Sequence, residues 1–224
     1  MTLVRYVGDI HGHYGTYYQT IEKVVNSVQI GDYGFGFGPL PRGLVDLNKK
    51  PGTNHRFIRG NHDSPDECAL QHNWIKDGTV ETIEDYKVMY IGGAYSIDVA
   101  YRTPGVSWWP DEELSQFDLE TLIYKYENEK PDVMITHEVP ESMLRVVFPY
   151  KKIYEQWGSR TRLAFDEMYK IHKPKVWIFG HWHENADVVE GGTRFICIDC
   201  NLYIDFDYKT KEISVQKEIN PWIR

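Results

Sequence analysis

Five times along this chain a short run of β-branched and aromatic residues stops in a cluster of groups able to bind a metal, and no other feature constrains the fold as strongly. Residues 2–7 run into Gly8-Asp9-Ile10-His11, and residues 27–30 into Gly31-Asp32. Residues 55–58 run into Arg59-Gly60-Asn61-His62-Asp63, 132–135 into Thr136-His137, and 175–179 into Gly180-His181-Trp182-His183. Short runs of this composition read as buried strands. Helical spacing lies between some of them. It covers 14–25, then 111–128, which opens on Pro110 and a run of acids, and 154–172, which stops before Lys173-Pro174. Strands alternating with helices give an α/β fold. From residue 186 to 217 the chain changes character. Three or so short strands are separated by Glu190-Gly191-Gly192 and Tyr208-Lys209-Thr210-Lys211, which read as hairpin turns. The expectation is a mixed sheet or a pair of sheets with helices outside.

The 224 residues suit one domain over 1–224, with a sizeable core. A formal charge of −8 disfavours a large nucleic-acid groove, which needs a basic face, though a nucleotide or a short strand held at a metal centre stays open. No signal peptide precedes the first strand and no apolar run reaches membrane-spanning length, so no membrane partner is expected. Cys68, Cys197 and Cys200 are an odd, sparse set, which points to reduced thiols in a cytoplasm. A lone Cys197-x-x-Cys200 without a second pair is not a structural zinc site, and both read as ordinary buried strand cysteines.

The chemistry follows from where the clusters fall. In open α/β sheets, sites form beyond the carboxyl ends of strands. Here those ends supply Asp9, His11, Asp32, Asn61, His62, His137, His181 and His183. Mixed carboxylate oxygen and imidazole nitrogen suit Mn²⁺, Zn²⁺ or Fe better than Mg²⁺ or Ca²⁺. Three or four protein ligands hold one ion, so seven of these groups are enough for two. Glycines at 8, 31, 60 and 180 precede the ligand groups, where a sharp turn at a strand end calls for permissive backbone. His13, His55, His72 and His172 fall outside the pattern and read as surface or packing histidines.

Taken together and in this order, Gly8-Asp9-x-His11-Gly12, Gly31-Asp32, Gly60-Asn61-His62-Asp63, His137 and Gly180-His181-x-His183 resemble the calcineurin-like metallophosphoesterases. Ile91-Gly92-Gly93-Ala94-Tyr95-Ser96-Ile97-Asp98, followed by Gly105-Val106-Ser107-Trp108-Trp109-Pro110, is similar to the small phosphoesterases of bacteria and their phages. The resemblance implies an α/β fold built as a four-layer α/β/β/α sandwich of mixed sheets, with a dinuclear metal site at the strand C-terminal ends. By motif, Asp9, His11 and His183 would bind the first ion, Asn61, His137 and His181 the second, and Asp32 would bridge both. The cofactor implied is two divalent transition-metal ions, Mn²⁺ foremost, with Fe, Zn or Ni as alternatives. Cations about 3.5–4 Å apart clamp a phosphate and lower the pKa of a shared water. His62, next to a ligand, would act as the proton donor or transition-state stabiliser. Arg59, beside Gly60, is a candidate phosphate contact along with Asn61 and His62, and Arg42 and Arg102 lie in loops with the same potential.

One block departs from the protein phosphatase branch, whose second motif reads Gly-Asp-x-x-Asp-Arg-Gly. Here Phe35 stands for the second Asp and Gly36 for the Arg, so His62 needs another partner, and Gly36 leaves room for a second ester substituent. The loop 33–43 could shape a pocket for a base or ring, and Trp108 and Trp109 could wall the cleft. The expected activity is therefore a phosphodiesterase or small-molecule/nucleotide phosphoesterase. A phosphomonoesterase (protein phosphatases included), a metal-dependent nuclease and a non-catalytic scaffold are the alternatives. Oligomeric state is open.

Overall fold

The computed structural model describes residues 2–38, 51–151 and 158–218. Two mixed sheets share a core. The first is built on β1 (Leu3–Val7), β2 (Asn26–Ile30) and β3 (Asn54–Ile58), which run parallel. The second sheet begins with β4 (Thr79–Ile83) and β5 (Tyr86–Ile91), a tight antiparallel hairpin. It continues through β6 (Val133–Thr136) and β7 (Val176–Phe179), parallel to β5, and closes with β8 (Ala186–Glu190) and β9 (Thr193–Cys197). The chain then returns to the first sheet as β10 (Leu202–Asp207), antiparallel to β1, with β11 (Glu212–Ile213) and β12 (Lys217–Glu218) at the edge. Strand orders are β11-β10-β1-β2-β3 and β4-β5-β6-β7-β9-β8.

Alternation along the strands divides the apolar residues between two kinds of interface. Val4, Tyr6, Val28, Ile30 and Ile58 meet Val88, Tyr90, Val133, Ile135 and Ile178 between the sheets. On the outer face of the second sheet, Met89, Met134, Trp177 and Phe179 pack on helices α3 (Gln116–Glu129) and α5 (Arg160–Ile171) through Leu122, Tyr126, Phe165 and Met168. The first sheet is covered by α1 (Tyr14–Ile21) and α2 (Pro65–Ala69), where Tyr17, Ile21 and Cys68 join Val7 and Phe57. A short α4 (Leu144–Val147) adds Leu144 and Val147 to the second helical layer. This is the expected four-layer α/β/β/α arrangement of mixed sheets.

Boundaries differ from the sequence reading for local reasons. The helix expected from residue 111 starts at Gln116, after the Ser115 N-cap, whose Oγ accepts from Asp118 N at 3.2 Å. Residues 111 and 112 instead present their carbonyls to Arg59. The helix expected from 154 starts at Arg160 behind the Ser159 cap, and 154–157 lie outside the described residues. The β4–β5 hairpin had no glycine to announce its turn, and Glu84 itself takes a φ of 51° there. No helix among the described residues is long and apolar enough to cross a membrane.

Candidate metal centre

The parallel strands of both sheets end along one edge, and every ligand group lies just past such an end. Asp9 and His11 follow β1, Asp32 follows β2, and Asn61 and His62 follow β3. From the second sheet, His137 follows β6, and His181 and His183 follow β7. The backbone there is unusual. His11, Asp32, His181 and His183 have φ values of 41°, 57°, 68° and 48°. Left-handed backbone costs a non-glycine residue about 1–2 kcal/mol, so the surrounding packing must impose it. The glycines serve mainly to make space. Of the four that precede ligand groups, only Gly31 has a positive φ, 106°. A Cβ on Gly60 would lie 2.1 Å from Asp32 Oδ1, and one on Gly31 would lie 2.3 Å from His137 Nδ1.

The side chains form two groups joined by one carboxylate. Ligand atoms of Asp9, His11, His183 and Cys200 lie within 4.8 Å of one another, and so do those of Asp32, His137 and His181. Asp32 also groups with His11 and His62, which puts it between the two sets. In the first group His183 Nε2 is 3.2 Å from Asp9 Oδ2 and 3.1 Å from His11 Nε2. In the second, His137 Nε2 is 3.2 Å from Asp32 Oδ1 and 3.1 Å from Asn61 Oδ1. Asp32 Oδ2 is buried with no hydrogen-bond partner, and His11 Nε2 is 3.8 Å from it. Converging ring nitrogens and an orphaned buried carboxylate oxygen are costly unless a cation sits among them. The residues therefore fit two divalent ions, and such ions polarise phosphoryl oxygens and lower the pKa of a water held with them.

A second layer of contacts aims these groups. His137 Nδ1 bonds the Ile30 carbonyl at 2.9 Å, which fixes the tautomer and leaves Nε2 facing the site. Asn61 Nδ2 donates to Ser96 Oγ at 2.9 Å. Ser96 in turn donates to buried Glu112 through Oγ and N, each at 2.7 Å. With its amide N–H₂ spent there, Asn61 turns Oδ1 toward His137. Asp63 is fully buried and accepts from the backbone N–H groups of Tyr33, Gly34, Phe35 and Gly60, binding the second motif loop to the third. Glu138 Oε1 accepts from Trp182 Nε1 at 2.7 Å, and its Oε2 lies 3.7 Å from His181 Nε2. The sequence reading assigned no role to Ser96, Glu112, Asp63 or Glu138. Ser96 lies inside the stretch that resembles small phosphoesterases, and Asp63 inside the third motif, so the signal was present without its mechanism.

The electrostatics follow from burial and crowding. Burial alone would raise Asp32, but the imidazoles of His137, His62 and His11 hold its carboxyl well below the usual range. Burial opposes protonation of His137, yet Asp32 and Asp9 raise it to about 9. His181 is held well below the usual histidine range, first by burial and then by His137. His183 is raised by its hydrogen bond to Asp9. His62 is lowered, with burial the largest cause. Arg102 and His11 add to that, and Asp32 opposes it. Burial pushes Glu138 up to about 7.

Asp9, His11, Asp32, Asn61, His137, His181, His183 and His62 thus all converge. Arg59 does not. Its side chain is buried against Asp77 Oδ2 at 3.1 Å and the carbonyls of Asp111 and Glu112 at 2.8 and 2.9 Å, so it braces the loop that carries Glu112. Its proposed contact with phosphate is corrected on that ground. Cys197 is a buried strand cysteine, whereas Cys200 lies past β9, half-buried beside the first ligand group. Gly36 leaves no room either. Its φ is 91°, and a Cβ there would meet Ser64 at 2.7 Å and the Trp109 ring at 2.8 Å. Phe35 stacks between Tyr33 and Phe57, at ring-centroid distances of 4.7 and 4.6 Å, away from catalysis. His62 finds its partner in Arg102, whose Nη2 contacts Nε2 of the ring. Arg42 lies outside the described residues.

The calcineurin-like phosphoesterase family model matches residues 4–185. No curated protein matches the sequence. Among solved structures, the phosphopantetheinyl hydrolase PptH of Mycobacterium tuberculosis is 11% identical, with a TM-score of 0.55 over 99% of this chain and 97% of its own. GAP50 of Plasmodium, an anchor in the inner membrane complex, is 12% identical, with a TM-score of 0.51 over 98% and 89%. An archaeal phosphodiesterase is 14% identical, with a TM-score of 0.48 over 96% and 98%. The matched span contains every converging residue named by motif, and the chain belongs to the calcineurin-like phosphoesterase family, as a metal-dependent hydrolase of phosphoester bonds.

Proposed function

We propose that the chain hydrolyses a small phosphodiester or nucleotide-like phosphate ester, with Mn²⁺ as its working metal. The observation that carries this reading is a pair of adjoining cavities that share His62. One, of about 320 Å³, is lined by His11, Tyr14, Gly34 and Phe37. The other, of about 450 Å³, is lined by Asp32, Asn61, Ile97, Arg102, Trp182 and His183. A diester has two substituents on its phosphorus, and a phosphorus placed beside His62 directs one into each cavity. Tyr14 and Phe37 offer ring faces to a base or other planar group.

Charge supports the same choice. The two cations that line the larger cavity among the described residues are each paired with a carboxylate, Arg102 with Asp98 at 2.7 Å and Lys151 with Glu184 at 2.9 Å. They supply directed N–H donors but little net charge, which suits a monoanionic diester better than a dianionic monoester. Asp32 and Asn61 Oδ1 would hold the ions that take the phosphoryl oxygens, and His62, once protonated at Nε2, would face the leaving oxygen as proton donor. We assign the activity to the cytoplasm, which accords with three unbridged cysteines.

The test compares kcat/KM for bis-(p-nitrophenyl) phosphate and p-nitrophenyl phosphate at equal Mn²⁺ loading. The diester should be preferred, and Phe37→Ala should raise KM for aromatic esters. A clear monoester preference, with good turnover of a phosphopeptide, would replace this reading with a phosphomonoesterase. Metal-dependent cutting of single-stranded oligonucleotides in a gel assay would favour the nuclease.

A further inference from the structure

Arg102 is the cation that the sequence pattern did not place and the fold does. It follows a single 3₁₀ turn, Val99–Tyr101, in the loop between β5 and α3. Its side chain is only 6% exposed. The guanidinium opens into the same cavity as Asp32, Asn61, His62, His181 and His183, so it faces groups from both ligand sets. Nη2 contacts His62 Nε2 and lies 2.7 Å from Asp98 Oδ1, while Nη1 reaches the Ser107 carbonyl at 3.5 Å. Lys151, the other described cation lining the cavity, is held by the Trp182 carbonyl and Glu184, both at 2.9 Å. Arg59 is spent on Asp77 and two carbonyls.

These contacts are unequal in strength. An imidazole nitrogen is a neutral acceptor, and Asp98 is about half exposed, so water screens it. A non-bridging phosphoryl oxygen carries formal negative charge and takes the N–H donors of a guanidinium fork better than a single ring nitrogen does. We propose that Arg102 is the phosphate clamp of this site: its guanidinium exchanges His62 Nε2 for a phosphoryl oxygen of the substrate, and the freed Nε2 takes up a proton from solvent, which it then gives to the leaving oxygen. Substrate binding and acid catalysis are then coupled through one residue. The inference rests on the phosphoester reading and holds for a diester or a monoester. Asp98 sets how much net charge the clamp delivers, and so it tunes the choice between them.

The test uses full-length Mn²⁺-loaded protein with Arg102→Ala, Arg102→Lys and Asp98→Asn, inorganic phosphate as competitive inhibitor, and the two nitrophenyl esters. Arg102→Ala should keep its metal content while the Ki of phosphate and the KM of both esters rise about 10- to 100-fold, the worth of charge-assisted hydrogen bonds. Arg102→Lys should recover only part of the loss, because an ammonium lacks the fork. Added guanidinium ion should restore Arg102→Ala saturably, an effect that a merely structural role would not give. Asp98→Asn should tighten phosphate and shift preference toward the monoester. Phosphate Ki and both KM values within twofold of wild type in folded Arg102→Ala would overturn the proposal, as would metal loss in both Arg102 variants. A monoester preference in wild type would refute the diester reading alone, since the Arg102 losses are read on both esters and on phosphate.

Discussion

Acid–base linkage at His137 should make the metal-free protein lose stability as the solution turns alkaline. In the folded chain Asp32 and Asp9 raise His137 from 6.5 to about 9 against the opposing effect of burial. A group whose pKa is raised by folding contributes stability that is complete below its unfolded value and is lost as pH climbs through the folded one. The window is therefore pH 6.5 to about 9, and the loss is about 3 kcal/mol, from about 1.4 kcal/mol per pKa unit. Asp32 adds nothing to the slope in this range. Its pKa is depressed, so its share is present above the ordinary carboxylate value and disappears only in acid.

For a chain of this size the loss corresponds to a fall in Tm of about 6–12 °C. The assay is thermal unfolding of chelator-treated protein from pH 6 to 9.5, beside His137→Gln, which cannot titrate there. The wild-type slope should exceed the variant's by most of that amount. Metal should show the opposite trend. Ions bind the neutral ring, so the gain in Tm on adding Mn²⁺ should grow as pH rises across the window. Equal slopes for wild type and His137→Gln would refute the reasoning, because the titration would then belong to other groups.

Two further outcomes follow from single contacts. Ser96→Ala removes the hydroxyl between Asn61 Nδ2 and Glu112, so Mn²⁺ affinity of the second ligand group should fall about 10- to 100-fold by titration, the usual worth of an outer-shell partner. His62→Ala should leave metal content nearly unchanged by elemental analysis and lower kcat by about 10²–10⁴, less for esters with acidic leaving groups; stripped metal would make His62 a ligand instead.

Much of this site was legible because its chemistry is local. Each ligand sits within a few residues of the end of its own strand, so a run of apolar residues followed by Gly-Asp-x-His or Gly-His-x-His states both the strand and the ligand. Long-range partners were not legible. Glu112 serves Asn61 through Ser96, and His62 meets Arg102 forty residues on, with no spacing rule to connect them. Arg59 misled for the same reason. Its place beside Gly60 suggested the site, but Asp77 and the carbonyls of residues 111 and 112 hold it elsewhere. The β4–β5 strands alternate clearly, yet their Glu84-Asp85 turn lacks the usual glycine signal.

Gly36 lacks a side chain yet opens no space for substrate. Its loss of an arginine side chain is real, but the space is filled by Trp109, which packs edge-on against Phe37 at 5.5 Å between ring centroids. The branch with arginine at this point reaches phosphate from the second motif. Here the same loop is committed to an aromatic wall, with Phe35 stacked inward and Phe37 turned to the cavity. Among the described residues the β5–α3 loop supplies both Trp109 and Arg102, and Arg102 lines the cavity beside the site. Under the proposed clamp, Trp109 fills the space that such an arginine would need and Arg102 takes its task from another loop. On the diester reading proposed above, this aromatic surface beside the phosphorus site suits a substrate with a planar substituent better than a phosphorylated serine.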